Sequence, residues 1–308
     1  MYLRIKITLS LIILIFLPFK LNALENKILF KVNDKIITTY DILKEIKYLN
    51  LLNEEFKNFE DSKIYEVAKN SIIKEKIKED ELEKIYKELK IDEKFIENFL
   101  INYFKKYNLN TIENVGQLLK KNDLKLDDIK QKMTIQLMWN EYIFQKFSKN
   151  VKINRNSIEN EISKKETQAE YFISEIVFNV NNKKELNEKF AKIKEEIDTN
   201  NFYQAAIMFS ESETSINGGK IGWIKESSLT KKIRNELKKI KIGESTNPIK
   251  IPGAFIILNI EDKKQTKLDI DINQEIQIVI KKKTNDQLNQ FSNIYFNKIK
   301  KNVSIDEL

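Results

Sequence analysis

The apolar residues of the chain follow two different spacings, which divide it into helical segments and one mixed segment. Near the start, alternating apolar residues on either side of an Asn-Asp pair predict a β-hairpin over residues 26–38. Thr38 and Asp41 then form a capping-box pattern, in which each side chain caps the backbone of the other. A helix is therefore predicted to start near Tyr40.

Helical spacing continues to about residue 165. The apolar residues of segment 64–89 recur every three or four positions, which predicts one long amphipathic helix. A second apolar face spans residues 95–104, and two further helices are predicted over residues 111–122 and 127–147. This part of the chain is expected to be helical after its first hairpin.

The pattern changes at Glu170, where short β-rich runs begin to alternate with helical ones. The segment is predicted to hold a strand, two helices, a glycine loop, a third helix and two strands, over residues 171–179, 183–198, 201–209, 218–222, 229–240, 249–251 and 255–260. This order predicts a compact α+β domain. Helical spacing returns after Glu261, and residues 303–305 are expected to add a strand to the first hairpin. The two helical stretches are therefore expected to pack on each other around the insert.

The first 23 residues have the composition of an export signal. Arg4 and Lys6 precede an apolar run of thirteen residues, and Ala23 offers a small residue at a cleavage edge. The run is shorter than the roughly 20 residues that a spanning helix needs, so cleavage after Ala23 is predicted, with an uncleaved membrane anchor as the alternative. No later segment is apolar enough to span a bilayer, so no stable membrane insertion is expected after cleavage.

The composition excludes several classes of site. The chain contains no His and no Cys, which excludes His/Cys zinc sites, Ser-His-Asp triads and thiolate nucleophiles, so no metal is expected. Its six glycines form neither a phosphate loop nor a dinucleotide fingerprint, so no cofactor is expected. The net charge of +8 is spread over interspersed acids and bases, which argues against a nucleic-acid partner.

Residues 209–223, FSESETSINGGKIGW, resemble the glycine-loop signature of a parvulin-type prolyl isomerase domain. The resemblance extends over residues 170–262. The start NDKIITTYDI, the helical region, the single parvulin unit and the long C-terminal helix together resemble the SurA family of periplasmic chaperones. That resemblance implies an α+β fold, with a mostly helical core of N-terminal helices and a C-terminal helix, and an inserted parvulin domain.

The resemblance also implies a division of the chain. The expected units are a signal peptide, an N-terminal helical chaperone domain, a parvulin-like domain, and a C-terminal helix and strand that pack on the N-terminal domain, over residues 1–23, 24–168, 169–263 and 264–308.

In the family, two histidines line the isomerase pocket. By the motif, these positions fall on Glu175 and Ile256, the position that holds Cys or Asp falls on or beside Ser212, and an apolar proline-binding position falls near Ile233. Ile256 cannot hydrogen-bond to Glu175, so a buried Glu175 is predicted to need another partner, such as the Ser212 hydroxyl, or a raised pKa. The domain is predicted to be weak or inactive as an isomerase; an active isomerase with a histidine-free pocket is the alternative.

The glycine loop itself comprises Gly218, Gly219, Gly222 and Trp223. The glycines either serve turn geometry or contact a ligand directly, and Trp223 is expected in the core.

The resemblance implies an ATP-independent chaperone of the periplasm that binds unfolded polypeptide clients, outer-membrane proteins above all. The parvulin domain would dock peptides or act as a movable flap. Five aromatic residues of the helical region either pack between helices or line a client groove: Phe95, Phe99, Tyr103, Phe104 and Tyr107. A structural or interaction protein tethered by an uncleaved signal is the remaining alternative.

Overall fold

The computed structural model describes residues 26–162, 167–267 and 272–308. The predicted export signal and its cleavage edge lie outside the described residues. The first described range contains β1 (Ile28–Val32), β2 (Lys35–Thr38), α1 (Thr39–Leu52), α2 (Asp61–Glu83), α3 (Glu93–Tyr103), α4 (Ile112–Lys121), α5 (Leu126–Phe147) and α6 (Arg155–Ile162).

The second described range, which we call the module, is the mixed segment. It contains β3 (Thr167–Phe178), α7 (Lys183–Thr199), α8 (Phe202–Phe209), β4 (Lys220–Lys225), α9 (Lys231–Leu237), β5 (Ile249–Ile251) and β6 (Ala254–Lys267). The third range contains α10 (Ile272–Lys300) and β7 (Ile305–Glu307). We call the first and third ranges together the frame.

The predicted hairpin and helix start are confirmed. The Thr38 hydroxyl accepts from the backbone N–H of Asp41, and the Asp41 carboxylate accepts from the backbone N–H of Thr38 at 2.9 Å. Strand β1 pairs with β2 on one side and with β7 on the other, both antiparallel. The predicted C-terminal strand is therefore present, and it joins the last residues of the chain to the first hairpin.

The prediction of one helix over residues 64–89 is wrong at its C-terminal end, since α2 ends at Glu83. No Gly or Pro lies between Glu83 and the start of α3, so the sequence contains no local stop signal. Leu89 nevertheless packs against the same buried cluster as Leu82. The apolar residues of this segment therefore share a buried cluster without forming one continuous helix.

Helix α10 packs against α5 through a cluster of aromatic side chains. Trp139 of α5 is fully buried, and its indole N–H donates to the Ser292 hydroxyl of α10 at 2.8 Å. The rings of Phe147 and Phe291 stack with their centroids 5.2 Å apart. The N- and C-terminal helical stretches thus share one core, as the sequence predicts.

The module is a four-stranded antiparallel sheet with strand order β4-β3-β6-β5. Helices α7 and α8 cover one face, where Ile176, Phe178 and Ile257 are buried with apolar residues of both helices. Strand β4 was missed by the sequence analysis, because Gly222 interrupts a run of only six residues. The other elements appear in the predicted order, with α9 shorter and β6 longer than predicted.

Two ion pairs bind the module to the frame. Lys63 of α2 lies 2.7 Å from Glu196 of α7, and Lys225 of β4 pairs with the fully buried Glu275 of α10. Across the three described ranges, no helix combines the length and the apolar composition that a bilayer span requires.

Candidate functional site

Glu175 lies in the middle of β3 and points to the sheet face opposite α7 and α8. Its strand partner is Leu258, and Val177, two positions later, pairs with Ile256. Because alternate residues of a strand share a face, Glu175 lies on the same face as Ile256. The predicted replacements of the two histidines thus occupy one side of the sheet.

The Glu175 carboxylate is held by two hydroxyl groups. Its Oε1 accepts from Ser212 Oγ at 2.7 Å and from Thr214 Oγ1 at 3.0 Å. Among the described residues, no donor lies within hydrogen-bonding distance of its Oε2. The hydrogen bond expected between Ser212 and Glu175 is therefore present.

Burial raises the pKa of Glu175 above its ordinary value, and the two hydroxyl hydrogen bonds partly offset this effect. Two charged groups of α10 also act on this pKa: the charge of Asp286 raises it and that of Lys282 lowers it. A carboxyl group with a raised pKa keeps its proton to a higher pH than an exposed carboxyl group does. It can accept a hydrogen bond from a peptide, or donate one when it is protonated.

Ile256 and Ile233 form the apolar side of the site. Ile256 is 7% exposed and belongs to a buried cluster with Val177 and Leu258. Ile233 of α9 is partly buried and packs against the same cluster. The structure therefore brings these two predicted positions together, as an apolar wall beside a carboxylate.

The glycine loop is built by close backbone approach. Gly218 and Gly219 have φ angles of 65° and 75°. A Cβ atom on Gly219 would lie 2.1 Å from the carbonyl oxygen of Glu175, and one on Gly218 would lie 1.9 Å from the ring of Tyr203. At these two positions the structure shows a steric requirement for glycine, which supports turn geometry over ligand contact.

Gly222 and Trp223 belong to β4 and not to a loop. Gly222 has a φ of 90°, and nothing lies within 4 Å of the place of its Cβ. The expectation that Trp223 lies in the core is wrong: its side chain is 40% exposed. Its ring packs on Phe172 with the centroids 5.5 Å apart, and the Lys264 ammonium lies 4.0 Å from its centroid. Because β4 is an edge strand, it has a neighbouring strand on one side only, and the Trp223 ring is left partly uncovered.

Two residues that contribute to the site were missed by the sequence analysis. Thr214 has only a weak signal, its place two positions after Ser212 in the glycine-loop stretch. Asp286 lies in a helix more than a hundred residues from Glu175 and has no local signal at all. In the part of the chain that the structure describes, no group of three or more side chains could hold a metal ion.

Comparison with known proteins gives a family match within the module. Residues 173–262 match the model of the rotamase family described as PPIC-type PPIase domain. The chaperone SurA of Pseudomonas putida is 43% identical over 63 residues, which cover 20% of this chain and 15% of the relative. The foldase protein PrsA of a Geobacillus species is 24% identical over 245 residues, which cover 78% of this chain and 79% of the relative.

A solved structure of a SurA-like chaperone from Campylobacter jejuni is 16% identical, covers 92% of this chain and 99% of its own, and has a TM-score of 0.38. The chain spans only about 15% of the length of the SurA relatives that it matches.

Proposed function

We propose that this protein is an ATP-independent chaperone that holds unfolded polypeptides. Two findings support the proposal: residues 173–262 match the model of the PPIC-type rotamase family, and the similar proteins include SurA chaperones and a PrsA foldase. The frame would be the main client surface. The module would dock extended client peptides, with weak or no isomerase activity. Unfolded outer-membrane proteins are the client class that we propose.

The observation that carries the holding function is an aromatic stripe on α3. Phe95, Phe99 and Tyr103 recur at intervals of four residues, so they share one side of the helix. Phe95 is 55% and Tyr103 is 39% exposed, and Phe99 stacks on Tyr103 with the ring centroids 6.1 Å apart. Exposed apolar stripes of this kind are suited to weak, exchangeable contacts with unfolded chains.

The other two aromatic candidates differ from the stripe. Phe104 is fully buried, and Tyr107 is partly buried against the same cluster. They support the fold and leave the stripe as the client surface. Helix α3 is anchored beneath the stripe by the buried Ile96 and Leu100.

The pocket supports weak isomerase activity for a chemical reason. Rotation about a prolyl bond crosses a barrier of about 18–20 kcal/mol that arises from amide resonance. A catalyst needs an apolar cleft and polar groups that favour the twisted amide over the planar one. Ile233 and Ile256 supply apolar surface, but Ile256 offers no polar group at the second histidine position. Glu175 therefore acts without the partner that the family's pocket provides.

An active isomerase is the second candidate function, and it is favoured by the family match and by the polar set of Glu175, Ser212 and Thr214. A protease-coupled assay on a proline peptide decides between the two. Weak activity is expected in the wild-type protein. Turnover at the level of an active parvulin would establish the second candidate, and a loss on Glu175→Gln would assign it to this pocket.

The holding function is tested by suppression of aggregation of a urea-unfolded β-barrel protein. Combined replacement of Phe95, Phe99 and Tyr103 by Ser should abolish most of the protection. Phe144→Ser is the matched control, because Phe144 is an aromatic residue that is 50% exposed on α5, away from the stripe. Equal loss in both variants would show that exposed apolar residues act without a defined surface. A soluble secreted client, run in parallel, tests the preference for outer-membrane proteins.

We further propose that the protein acts in the periplasm after removal of residues 1–23. The support is the basic and apolar composition of that segment. N-terminal sequencing of the exported protein should give Leu24 as the first residue. An intact N-terminus in the membrane fraction would favour the tethered form instead.

A further inference from the structure

The loop formed by residues 211–217 is shared between the module and the frame. On its module side it supplies the Ser212 and Thr214 hydroxyls to Glu175. On its other side it accepts hydrogen bonds from the frame at its beginning, middle and end. We refer to these three frame contacts as the loop tethers.

The first and last tethers bind backbone carbonyl groups. Lys74 Nζ, in the middle of α2, donates to the carbonyl oxygen of Glu211 at 2.7 Å. Asn53 Nδ2, at the C-terminal cap of α1, donates to the carbonyl oxygen of Ile216 at 2.7 Å. These two carbonyl groups lie directly before Ser212 and two residues after Thr214. The frame therefore fixes the backbone on both sides of the pair that holds Glu175.

The middle tether binds a side chain between the two hydroxyls. Gln136 of α5 donates through Nε2 to the Glu213 carboxylate. The oxygen side of the Gln136 amide is fixed by Lys78, whose Nζ donates to Gln136 Oε1 at 2.7 Å. Lys78 is 5% exposed. An amide whose oxygen accepts from a lysine must present its NH₂ group to the opposite side, where Glu213 lies.

The module also contacts the loop, through backbone–backbone hydrogen bonds, whereas the frame donates from side chains. The backbone N–H of Glu211 donates to Val177 O at 2.6 Å, and that of Gly219 donates to Thr214 O at 2.9 Å. These bonds close the loop on β3 and on itself. They use the N–H of Glu211 and leave its carbonyl group to Lys74. Because the N–H of Glu211 is bound by the module and its carbonyl group by the frame, the loop conformation depends on both.

We infer that Lys74, Gln136 and Asn53 are positioning residues for the Glu175 pocket, which is complete only when the module is docked on the frame. The frame and the pocket then form one binding unit, and the module is not an independent flap. The inference rests on the proposed function in one respect only, namely that the pocket receives a client peptide.

The test is a carbon NMR titration of the Glu175 carboxyl group in the full chain, with the signal assigned by Glu175→Gln. Lys74→Met and Gln136→Leu should shift its midpoint upward, in the direction produced by removing the Ser212 and Thr214 hydroxyls. Gln136→Leu changes no charge, so its shift reports loop geometry alone. Lys74→Arg, which keeps a cationic donor, should restore the wild-type midpoint.

Lys63→Met is the matched control. It removes a lysine from the same helix and breaks the 2.7 Å contact with Glu196, which docks the module through α7 without touching the loop. An unchanged Glu175 midpoint in this variant supports the inference. If folded Lys74→Met and Gln136→Leu leave the midpoint unchanged, or if Lys63→Met shifts it equally, the inference is overturned. Asn53→Ala replaces any variant that does not fold.

A second readout is the affinity of a fluorescein-labelled ten-residue peptide with a central Xaa-Pro bond. Loss of one tether should weaken binding about fivefold to tenfold, as expected for one hydrogen bond, and Lys74→Arg should recover it. If the wild-type protein does not bind the peptide, the docking role proposed for the module fails. The titration still decides whether the frame positions the pocket.

Discussion

Ser212 Oγ donates a hydrogen bond to Glu175 Oε1 at 2.7 Å, across 37 residues of sequence. The acceptor stands where the resemblance implies a pocket histidine, and the donor stands at or beside a position that holds Cys or Asp in active members. This hydrogen bond and the one from Thr214 Oγ1 hold one oxygen of the carboxylate within the candidate site. It also makes Glu175 the residue on which the properties of the site depend most directly.

Replacement of Ser212 by Ala together with Thr214 by Val should raise the pKa of Glu175 further. Both hydroxyl hydrogen bonds lower this pKa against the larger effect of burial, and the variant removes both. The folded state would then bind the Glu175 proton more tightly than the unfolded state does. As pH rises above the ordinary range of a carboxyl group, the double variant should therefore lose more stability in total than the wild type, over a window that extends to higher pH.

The measurement is chemical denaturation from pH 4 to pH 8, with Glu175→Gln as the reference that lacks the ionisable group. A pH profile of the double variant that coincides with the wild type would show that the hydroxyls do not act on Glu175.

Gly219→Ala should destabilise the protein more than Gly222→Ala. Both glycines have positive φ angles, which costs a residue with a Cβ about 1–2 kcal/mol. Only at Gly219 would the new methyl group meet backbone, 2.1 Å from Glu175 O. Displacement of packed neighbours adds about 1–3 kcal/mol. Urea unfolding of both variants measures the difference, and equal losses would contradict the close approach.

Phe104→Ala and Phe95→Ala should separate folding from client binding. Phe104 is fully buried, so its truncation should cost about 3–5 kcal/mol of the free energy of unfolding. Phe95 is 55% exposed, so its truncation should change stability by no more than about 0.5 kcal/mol while weakening protection of an unfolded client. Thermal unfolding and the aggregation assay are run on each variant. If Phe95→Ala lost as much stability as Phe104→Ala, Phe95 would be a packing residue, and the stripe could not be a surface open to clients.

Lys78 should make the stability of the protein depend on pH above neutrality. Burial, and next the charge of Lys74, lower the pKa of Lys78 from 10.5 to about 7. Between these two values the unfolded state holds a proton that the folded state has released, so stability rises with pH over this window. The slope from this group approaches about 1.4 kcal/mol per pH unit.

Lys78→Met should remove that slope between pH 7 and pH 10.5, as measured by urea unfolding at several pH values. Lys76→Met is the control, since Lys76 is a partly buried lysine of the same helix that pairs with Glu79 at 2.8 Å. An unchanged slope in Lys78→Met would show that Lys78 does not titrate in the folded protein in this range.

Much of the fold follows from local signals. The Thr38–Asp41 capping box placed the start of α1, because its donors and acceptors lie within four residues of one another. The period of apolar residues placed α3 to α5 for a similar reason. The end of α2 could not be placed, since no stop residue marks Glu83 and the end depends on packing with distant helices. The exposure of Trp223 depends on its being in an edge strand, which no neighbouring residue encodes.

The order of the elements other than β4, the turn at Gly218 and Gly219, and the absence of histidine all follow from the amino-acid sequence, because each is a property of residue type or of near neighbours. The groups that hold Glu175, and the frame residues that hold those groups in turn, could be identified only in the folded chain. Thr214 reaches Glu175 across 39 residues, and Lys74 reaches Glu211 across 137. Hydrogen bonds between residues so far apart in the sequence depend on how the chain packs. The residues next to a serine, a threonine or a lysine do not indicate which distant group it will contact.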